Sequence, residues 1–195
     1  MKAWCVVLTI SLMVTMSSSE SKGNGRNQNA ESLWAKTTKI APEKQTMVSL
    51  TNLQFYFHDT LSGPTPSATT IATSRLTNTS KTLFGLLNMV DDPLTIGPDL
   101  NSKVIGRARG IYGCAGQTSF GIIMALGFVF LEGKYNGSTI SINGLNTAMN
   151  PVRELTIVGG TGVFQMARGV AHVRTIRFDP VTLDATMWYN VTVYH

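Results

Sequence analysis

Residues 151–173, PVRELTIVGGTGVFQMARGVAHV, decide the predicted fold of this chain. From residue 152 to residue 158 the side chains alternate with a period of two, as they do along a β-strand. The alternation places Arg153, Leu155 and Ile157 on one face. The sequence therefore predicts a strand that carries a charged side chain on an otherwise apolar face.

The glycines between residues 159 and 162 are predicted to end this strand and to turn the chain. Thr161 is placed to cap a single helical turn over 163–167, which Gly169 would end in the left-handed conformation. An apolar run that begins at Val170 is predicted to return to the sheet.

The same glycines also match the glycine-rich turn of a dinucleotide-binding domain. That fold needs several βαβ units after the turn and an acidic residue about twenty positions further on. Residues 163–195 contain Pro180 and no long amphipathic helix. A turn between antiparallel strands is therefore the better interpretation.

The first 19 residues have the layout of a secretory signal peptide. Lys2 precedes an apolar run from Ala3 to Met16, and three serines follow, so cleavage is predicted near Ser19. The run is too short to span a bilayer. The nearest later segment, residues 120–131, has the length of a buried strand. We expect a secreted protein without a membrane span.

Removal of the signal leaves about 175 residues, a usual size for one domain. Residues 20–50 are polar, show no clear period and are predicted to form a flexible N-terminal arm before a domain over 51–195. Because Cys5 leaves with the signal, Cys114 remains alone and no internal disulfide is expected.

The basic excess of the chain is modest. The formal net charge is +5, and it falls to about +4 without Lys2. No basic run with interleaved aromatic residues is present. Nucleic acid is therefore not an expected partner.

Three acceptor sequons for N-glycosylation lie beyond the signal, at Asn78, Asn136 and Asn190. A glycosylated asparagine must lie at the surface, because a glycan cannot be buried. Three sequons beside a signal peptide are consistent with secretion through a eukaryotic pathway.

Eight or nine short β-strands and almost no helix are predicted. Their spacing favours an antiparallel sandwich or a closed barrel. Pro93 is predicted to stop the third strand, because proline cannot donate to a ladder. The predicted strands cover residues 53–60, 68–76, 83–90, 103–114, 118–131, 138–143, 152–158, 174–178 and 185–194.

No metal or cofactor site is predicted. His58, His172 and His195 are far apart in the sequence and match no ligand spacing such as HxxxH. Cys114 has no partner for an iron–sulfur or zinc site. A GxSxG nucleophile elbow and a GxxxxGK[ST] phosphate loop are also absent from the sequence.

Two charged residues, Asp59 and Arg153, are the candidates for acid–base chemistry. Asp59 shares a strand face with Leu53, Phe55 and Phe57. An unpaired buried charge is costly, so each residue either has a buried ion-pair partner or lines a polar cavity. A carboxyl in an apolar cavity has a raised pKa and can act as an acid near neutral pH. Both alternatives remain open at this point.

Five segments together resemble the plant dirigent family, and they occur in the order typical of that family. The resemblance covers the chain from about Asn52 to the C-terminus and leaves out the N-terminal arm. The segments are FYFHD at 55–59, DDPLT at 91–95, GRARGIY at 106–112, NGSTI at 136–140 and residues 153–169.

The resemblance implies an eight-stranded antiparallel β-barrel that associates as a homodimer or homotrimer and is secreted to the apoplast. It also implies a function. Dirigent proteins impose stereochemistry on the coupling of phenoxy radicals from monolignols such as coniferyl alcohol, which leads to lignans. A separate laccase or peroxidase makes the radicals, so the dirigent protein itself needs no redox cofactor.

The resemblance also implies roles for individual residues. Asp59 corresponds to a family acid, and Arg153 to an arginine in the barrel cavity. Tyr112 corresponds to a tyrosine that contacts the phenolic ring, and Thr175 to a cavity threonine. The chain departs from the pinoresinol-forming members at two positions, where Asn146 replaces a second aspartate and Cys114 replaces a second tyrosine.

These departures leave two further functions open. Asparagine cannot supply the proton that a carboxylic acid would. One alternative is therefore a dehydratase similar to pterocarpan synthases, which removes water from an isoflavanol and closes a ring through a quinone methide, with Asp59 as the acid. The other is a cell-wall or defence protein that binds a phenolic or a sugar without transforming it.

Overall fold

The computed structural model describes residues 48–195, so the predicted signal peptide and nearly all of the predicted arm lie outside the described residues. Within this range the chain forms nine β-strands and three short 3-10 turns, at Thr77–Thr79, Gly133–Tyr135 and Gly162–Phe164. The strands are β1 Leu50–Asp59, β2 Ala68–Ala72, β3 Leu87–Thr95, β4 Val104–Cys114, β5 Ile122–Phe130, β6 Thr139–Asn146, β7 Arg153–Thr161, β8 Arg168–Phe178 and β9 Ala185–Tyr194.

The strands form one closed antiparallel barrel. Their order is β1-β9-β8-β7-β6-β5-β4-β3-β2, and a pairing between β1 and β3 closes the sheet. The strands β1 and β2 both pair with β3, so together they fill one of eight positions around the barrel. The predicted eight-stranded antiparallel β-barrel is confirmed.

Because β1 and β2 pair with different parts of β3, a short interval of that edge of β3 lies between the two pairings. β1 pairs with Leu94 and Thr95, whereas β2 pairs with β3 only up to Val90. Pro93 lies in the interval, and its nitrogen points to the same side as the Asp91 N–H, which donates to the Ser67 carbonyl at 2.9 Å. No ladder bond is lost there, so β3 continues through the proline to Thr95, and the prediction that Pro93 stops the strand is wrong.

The segment after the predicted seventh strand also differs from its prediction. β7 continues to Thr161, and its glycines at 159 and 160 pair with Ser141 and Ile140 across a register shift. The helical turn is shorter than predicted, and Thr161 makes no side-chain cap. Gly169 lies inside β8 rather than at a helix end. Only glycine fits there, because the Thr192 carbonyl oxygen lies 2.0 Å from the position that a Cβ would take.

Aromatic side chains fill the centre of the barrel. Phe55, Phe57, Phe128 and Tyr189 are at most 1% exposed, and their ring centroids lie 5.4 to 6.3 Å apart. Burying each ring contributes about 2 to 3 kcal/mol to folding. The barrel is therefore solidly packed over this part of its length.

The predicted sequons lie on the outside of the barrel. Asn78 and Asn136 are exposed in or beside 3-10 turns, and Asn190 is half-buried on the outer face of β9. Among residues 48–195 there is no helix with the length and apolarity needed to cross a membrane.

Candidate functional site

Inward-facing polar side chains gather at one end of the barrel, where β1, β4 and β6 finish and β7 begins. This group is called the polar end below. Strand alternation explains it, because each member continues the inward face of a strand whose other inward residues are largely apolar. The polar end consists of the buried Asp59, Asn88, Asp92, Tyr112, Asn146 and Arg153 and of the exposed Thr175.

Asp59 lies at the last position of β1 and faces inward beyond Phe55 and Phe57, as predicted. It is 8% exposed, and its Oδ1 has no hydrogen-bond partner within the described residues. Burial raises the pKa of Asp59 to about 6, the side chain of Tyr112 lowers it in part, and the charge of Asp184 adds to the rise. Asp59 can therefore hold a proton close to neutral pH.

Tyr112 faces inward from β4 and lies directly opposite Asn88 of β3. Burial raises the pKa of its phenol, and the negative charge of Asp59 raises it further. The phenol stays neutral, so its hydroxyl remains available as a donor beside the Asp59 carboxyl. The structure thus brings Asp59 and Tyr112 together.

Asp92 is a second buried carboxyl that the sequence analysis missed. It is 0% exposed; its Oδ1 accepts a 2.5 Å hydrogen bond from the Ser67 hydroxyl, whereas its Oδ2 has no partner among residues 48–195. Burial raises the pKa of Asp92 to about 8, and the charge of Asp59 adds to the rise. Its alternation with the apolar Val90 and Leu94 was the available signal.

The pairing of β1 with β3 brings the two carboxyls to the same part of the inner face. Phe57 pairs with Leu94, and Asp59 and Asp92 lie two residues beyond this last pair, one on each strand. The position falls in the interval where β1 no longer pairs with β3. The Ser67 hydroxyl, which follows β1 in the chain, contacts Asp92 at this point.

Arg153 lies on the opposite side of the polar end and is 4% exposed. Its Nε donates to Asn146 Oδ1 at 3.2 Å, and its Nη1 donates to the Thr175 hydroxyl at 2.9 Å. Burial lowers the pKa of the guanidinium, and the charge of Tyr189 opposes this. No salt bridge of the described residues involves Arg153. The structure thus brings Arg153, Asn146 and Thr175 together around neutral partners.

Among the described residues, Cys114 is the one predicted binding residue that makes no polar contact with Asp59 or Tyr112 on one side, or with the group around Arg153 on the other. It is buried at the end of β4, and burial raises the pKa of its thiol. Ile122 pairs with both Cys114 and Asn146, so the two lie on the same side of the barrel. Asn146 Nδ2 donates to the Met124 sulfur at 3.3 Å.

Tyr189 connects the two sides of the polar end. It is fully buried against Phe55 and Phe57, yet its hydroxyl has no hydrogen-bond partner in the described part of the chain. Burial raises the pKa of the phenol; the charge of Arg153 lowers it, and those of Asp92 and Asp59 raise it. Sequence reasoning missed this residue because a tyrosine in a strand is indistinguishable from ordinary core.

A groove of about 520 Å³ lies outside the barrel, between the β3–β4 loop and the ends of β1 and β9. Among the predicted site residues it contains only Asp59. The buried His58 closes its inner side, with Nε2 2.7 Å from the Thr95 hydroxyl. The groove is lined by His58, Asp59, Thr60, Pro98, Asp99, Leu100, Asn101, Arg177, Asp184, Ala185 and Thr186.

The arrangement can move a proton at one side and hold a polar oxygen at the other. Asp92 retains its proton at neutral pH, and Asp59 loses its proton only near pH 6, where exposed carboxyls are already ionised. The guanidinium of Arg153 can donate to a phenolic oxygen. Closely packed, buried aromatic rings lie between the two sides. Within residues 48–195 no three His, Cys, Asp or Glu side chains are grouped so that they could hold a metal ion.

Comparison with known proteins identifies relatives over nearly the whole described range. The profile of the family described as Dirigent-like protein matches residues 50–194. The chain is 56% identical over 146 residues to Dirigent protein 23 of Arabidopsis thaliana, covering 75% of this chain and 78% of that protein. It is 44% identical over 146 residues to Pterocarpan synthase 1 of Glycine max, covering 74% and 78%.

A solved structure shows the same architecture. The pterocarpan synthase dirigent protein GePTS1 superposes with a TM-score of 0.73 at 42% sequence identity, covering 78% of this chain and 88% of that one. The likeness includes the closed antiparallel barrel described above.

Proposed function

Because the chain belongs to the dirigent family, we propose that it imposes stereochemistry on the coupling of phenoxy radicals from monolignols such as coniferyl alcohol, in lignan biosynthesis. Members of the family act on phenolic substrates. A separate laccase or peroxidase supplies the radicals. The protein holds two flat aromatic radicals so that one pair of faces meets, which turns a random encounter into an oriented one.

The observation that carries this proposal is the inward position of Asp59, where burial raises its pKa to about 6 beside Tyr112. Two phenoxy radicals join by one new carbon–carbon bond and give a quinone methide at each ring. Asp59 protonates a quinone methide oxygen while a side-chain hydroxyl attacks the benzylic carbon. That hydroxyl then releases a proton, so the ring closure consumes none overall.

Arg153 and Tyr112 position the substrate in this proposal. The guanidinium is held by Asn146 and Thr175, and none of its hydrogen-bond acceptors carries a charge. It is therefore free to attract the oxygen of a second phenolic ring, on which negative charge develops. Tyr112 lies along the wall beside Asp59, where its ring can contact the ring that receives the proton.

A second candidate function is the dehydration of an isoflavanol. Two observations favour it: Arg153 is bonded to Asn146 where a second acid would stand, and the chain is 44% identical to a pterocarpan synthase. Asp59 would protonate the benzylic hydroxyl, which leaves as water while the phenol of the same ring releases its proton, so that a quinone methide forms. A phenolic hydroxyl of the other ring then adds to the same carbon and gives up its proton; the quinone methide oxygen and Asp59 each regain one proton, so that one water is lost overall.

One experiment with two arms separates these functions. The purified protein is incubated with coniferyl alcohol and a laccase, and separately with a racemic isoflavanol and no oxidant; products are resolved by chiral chromatography. Enantiomeric excess in the first arm alone supports radical coupling, and enantioselective ring closure in the second supports the dehydratase. Racemic products at the background rate in both arms would contradict both functions and leave the role of a phenolic- or sugar-binding protein.

The remaining parts of the proposal concern the setting of the protein. We propose that it is secreted to the apoplast, self-associates as a dimer or trimer, and carries glycans at one or more of Asn78, Asn136 and Asn190. The exposed positions of Asn78 and Asn136 support the last point. Mass spectrometry of the secreted protein, before and after glycosidase treatment, tests it.

A further inference from the structure

The buried carboxyl of Asp92 has no task in the chemistry described above, although it lies near the proposed acid. Both carboxyls face the interior, and the Ser67 hydroxyl links their two segments, because it contacts the His58 carbonyl oxygen at 3.4 Å and Asp92 Oδ1 at 2.5 Å. Each also has one buried oxygen without a partner among the described residues, Oδ1 of Asp59 and Oδ2 of Asp92. Two neighbouring buried carboxylates without donors are costly, and one proton held by the pair lowers that cost.

We propose that Asp59 and Asp92 act as one carboxyl pair, which holds a shared proton and delivers it through Asp59 to the substrate oxygen. This inference rests on the proposed function for its final step, in which the substrate receives the proton. Asp59 is the catalytic member, because it lies at the end of β1. Asp92 is a positioning residue that stores the proton.

The surroundings give the two carboxyls different tasks. Asp92 is 0% exposed and is held by the Ser67 hydroxyl, whereas Asp59 borders the groove at the end of β1. Asp92 therefore keeps its proton more firmly, with a pKa of about 8 against about 6 for Asp59. At pH 7 the pair carries one proton and one negative charge.

Proton transfer balances within the pair. The stored proton passes from Asp92 to Asp59 and then to the quinone methide oxygen or the leaving hydroxyl, which leaves both carboxyls ionised. The attacking hydroxyl then loses its own proton, and the pair takes that proton up. No external acid, base or oxidant enters this cycle.

Among residues 48–195, no other group that faces the pair titrates in the same range. His58 is next to Asp59 in the chain but lies on the opposite face of β1, and burial lowers its pKa. The phenols of Tyr112 and Tyr189 have raised pKa values and stay neutral. Asp184 stays ionised because hydrogen bonds lower its pKa despite some desolvation, and Asp91 does so because Arg107 and Arg109 outweigh its desolvation. Arg153 is a cation on the far side of Tyr189.

A titration without substrate tests the pair independently of the proposed function. Infrared spectroscopy follows the carbonyl band of protonated carboxyls as pH rises, and exposed carboxyls are already ionised by about pH 5. We expect two further steps in the loss of this band, near pH 6 and near pH 8. Asp92→Asn should remove the upper step and leave the lower one, whereas Asp59→Asn should move the upper step to lower pH, because Asp92 loses its like-charged neighbour.

The control is Asp91→Asn, which removes the same charge one residue away on the outer face of β3. Because Asp91 is the weakest of the groups that act on Asp92, this substitution should move the upper step less than Asp59→Asn does and leave the lower step in place. An upper step that Asp59→Asn does not move would show that the carboxyls are independent, and the absence of any step above about pH 5 would show that neither stores a proton. Either result overturns the pair, and Asp59→Asn provides the test even if Asp92→Asn does not fold.

Activity against pH tests the storage role of Asp92. The singly protonated pair persists between about pH 6 and pH 8, so the rate of ring closure by the wild type should stay level over that range, whereas the rate of Asp92→Asn, with Asp59 as the sole acid, should fall about tenfold between pH 7 and pH 8. A loss of the same size at every pH would indicate a structural role and contradict the proposal. Two coupled titration steps without activity on either substrate would refute the proposed function but leave the pair standing.

Discussion

Asn146 lies directly opposite Arg153 across the β6–β7 hairpin, and its side-chain oxygen accepts a 3.2 Å hydrogen bond from the guanidinium. The register that pairs Asn143 with Thr156 reaches these two residues three positions further along. The contact therefore follows from the sheet itself. The buried guanidinium thus has a neutral partner, and its positive charge stays available to a substrate oxygen.

We expect this contact to be measurable as a coupling energy. In a double-mutant cycle of Asn146→Ala and Arg153→Leu, urea unfolding should give an interaction of about 1 to 2 kcal/mol, because hydrogen bonds to charged groups are worth that much when buried. The same cycle with Asn143→Ala, an exposed residue on the outer face of β6, should give almost none. Equal values in the two cycles would contradict the contact.

Asp59→Asn should abolish the chemistry and preserve the fold. An asparagine fills the same space but cannot donate a proton to an oxygen as a carboxylic acid does, and general acids contribute about a hundredfold or more to the rate. Ring closure in whichever arm of the product assay shows activity should fall by at least about that factor, while the circular dichroism spectrum is unchanged. Full activity in a folded Asp59→Asn protein would exclude Asp59 as the acid.

The stability of the barrel should fall as pH rises above neutral. Asp92 has a folded-state pKa of about 8, above that of the unfolded chain, so the folded state gains stability from the bound proton and loses it as pH passes through this value. Between about pH 7 and 8.5 the free energy of unfolding should drop by about 1 kcal/mol. Urea unfolding of Asp92→Asn should show a flatter dependence, and that of Asp91→Asn the wild-type slope.

A methyl group at Gly169 should destabilise the barrel severely. Its Cβ would lie 2.0 Å from the Thr192 carbonyl oxygen, and the backbone φ of +157° is unfavourable for other residues. Gly169→Ala should cost at least about 2 kcal/mol in the free energy of unfolding. Gly159→Ala meets no atom within 4 Å and should change it by less than about 0.5 kcal/mol. Similar effects of the two substitutions would refute this account.

The inward positions of Asp59 and Arg153 could be predicted because each continues a run of alternating apolar residues. Such a period fixes the face of a side chain whatever the partner strand is. The resemblance of five segments then supplied the barrel, and the structure agrees with it. Local patterning thus determined which side chains point inward.

Asp92 was missed, although it alternates with Val90 and Leu94, because the following Pro93 placed it beyond the end of the predicted strand. The rule that a proline ends a ladder holds for a strand paired on both edges, whereas β3 has an unpaired interval where the proline lies. That interval exists because β1 and β2 share one position in the barrel. Contacts between residues far apart in the sequence decide which part of β3 pairs with β1 and which with β2, and no local sequence pattern predicts this.

The lengthwise division of the barrel has a consequence for how such a protein can diversify. Its aromatic half secures the fold, and the polar side chains of the proposed chemistry occupy the ends of strands beyond it. A lineage can exchange an asparagine for an aspartate, or a cysteine for a tyrosine, without disturbing the rings that keep the molecule folded. New products can then arise by a few substitutions at the mouth, while the ancestral scaffold is inherited intact.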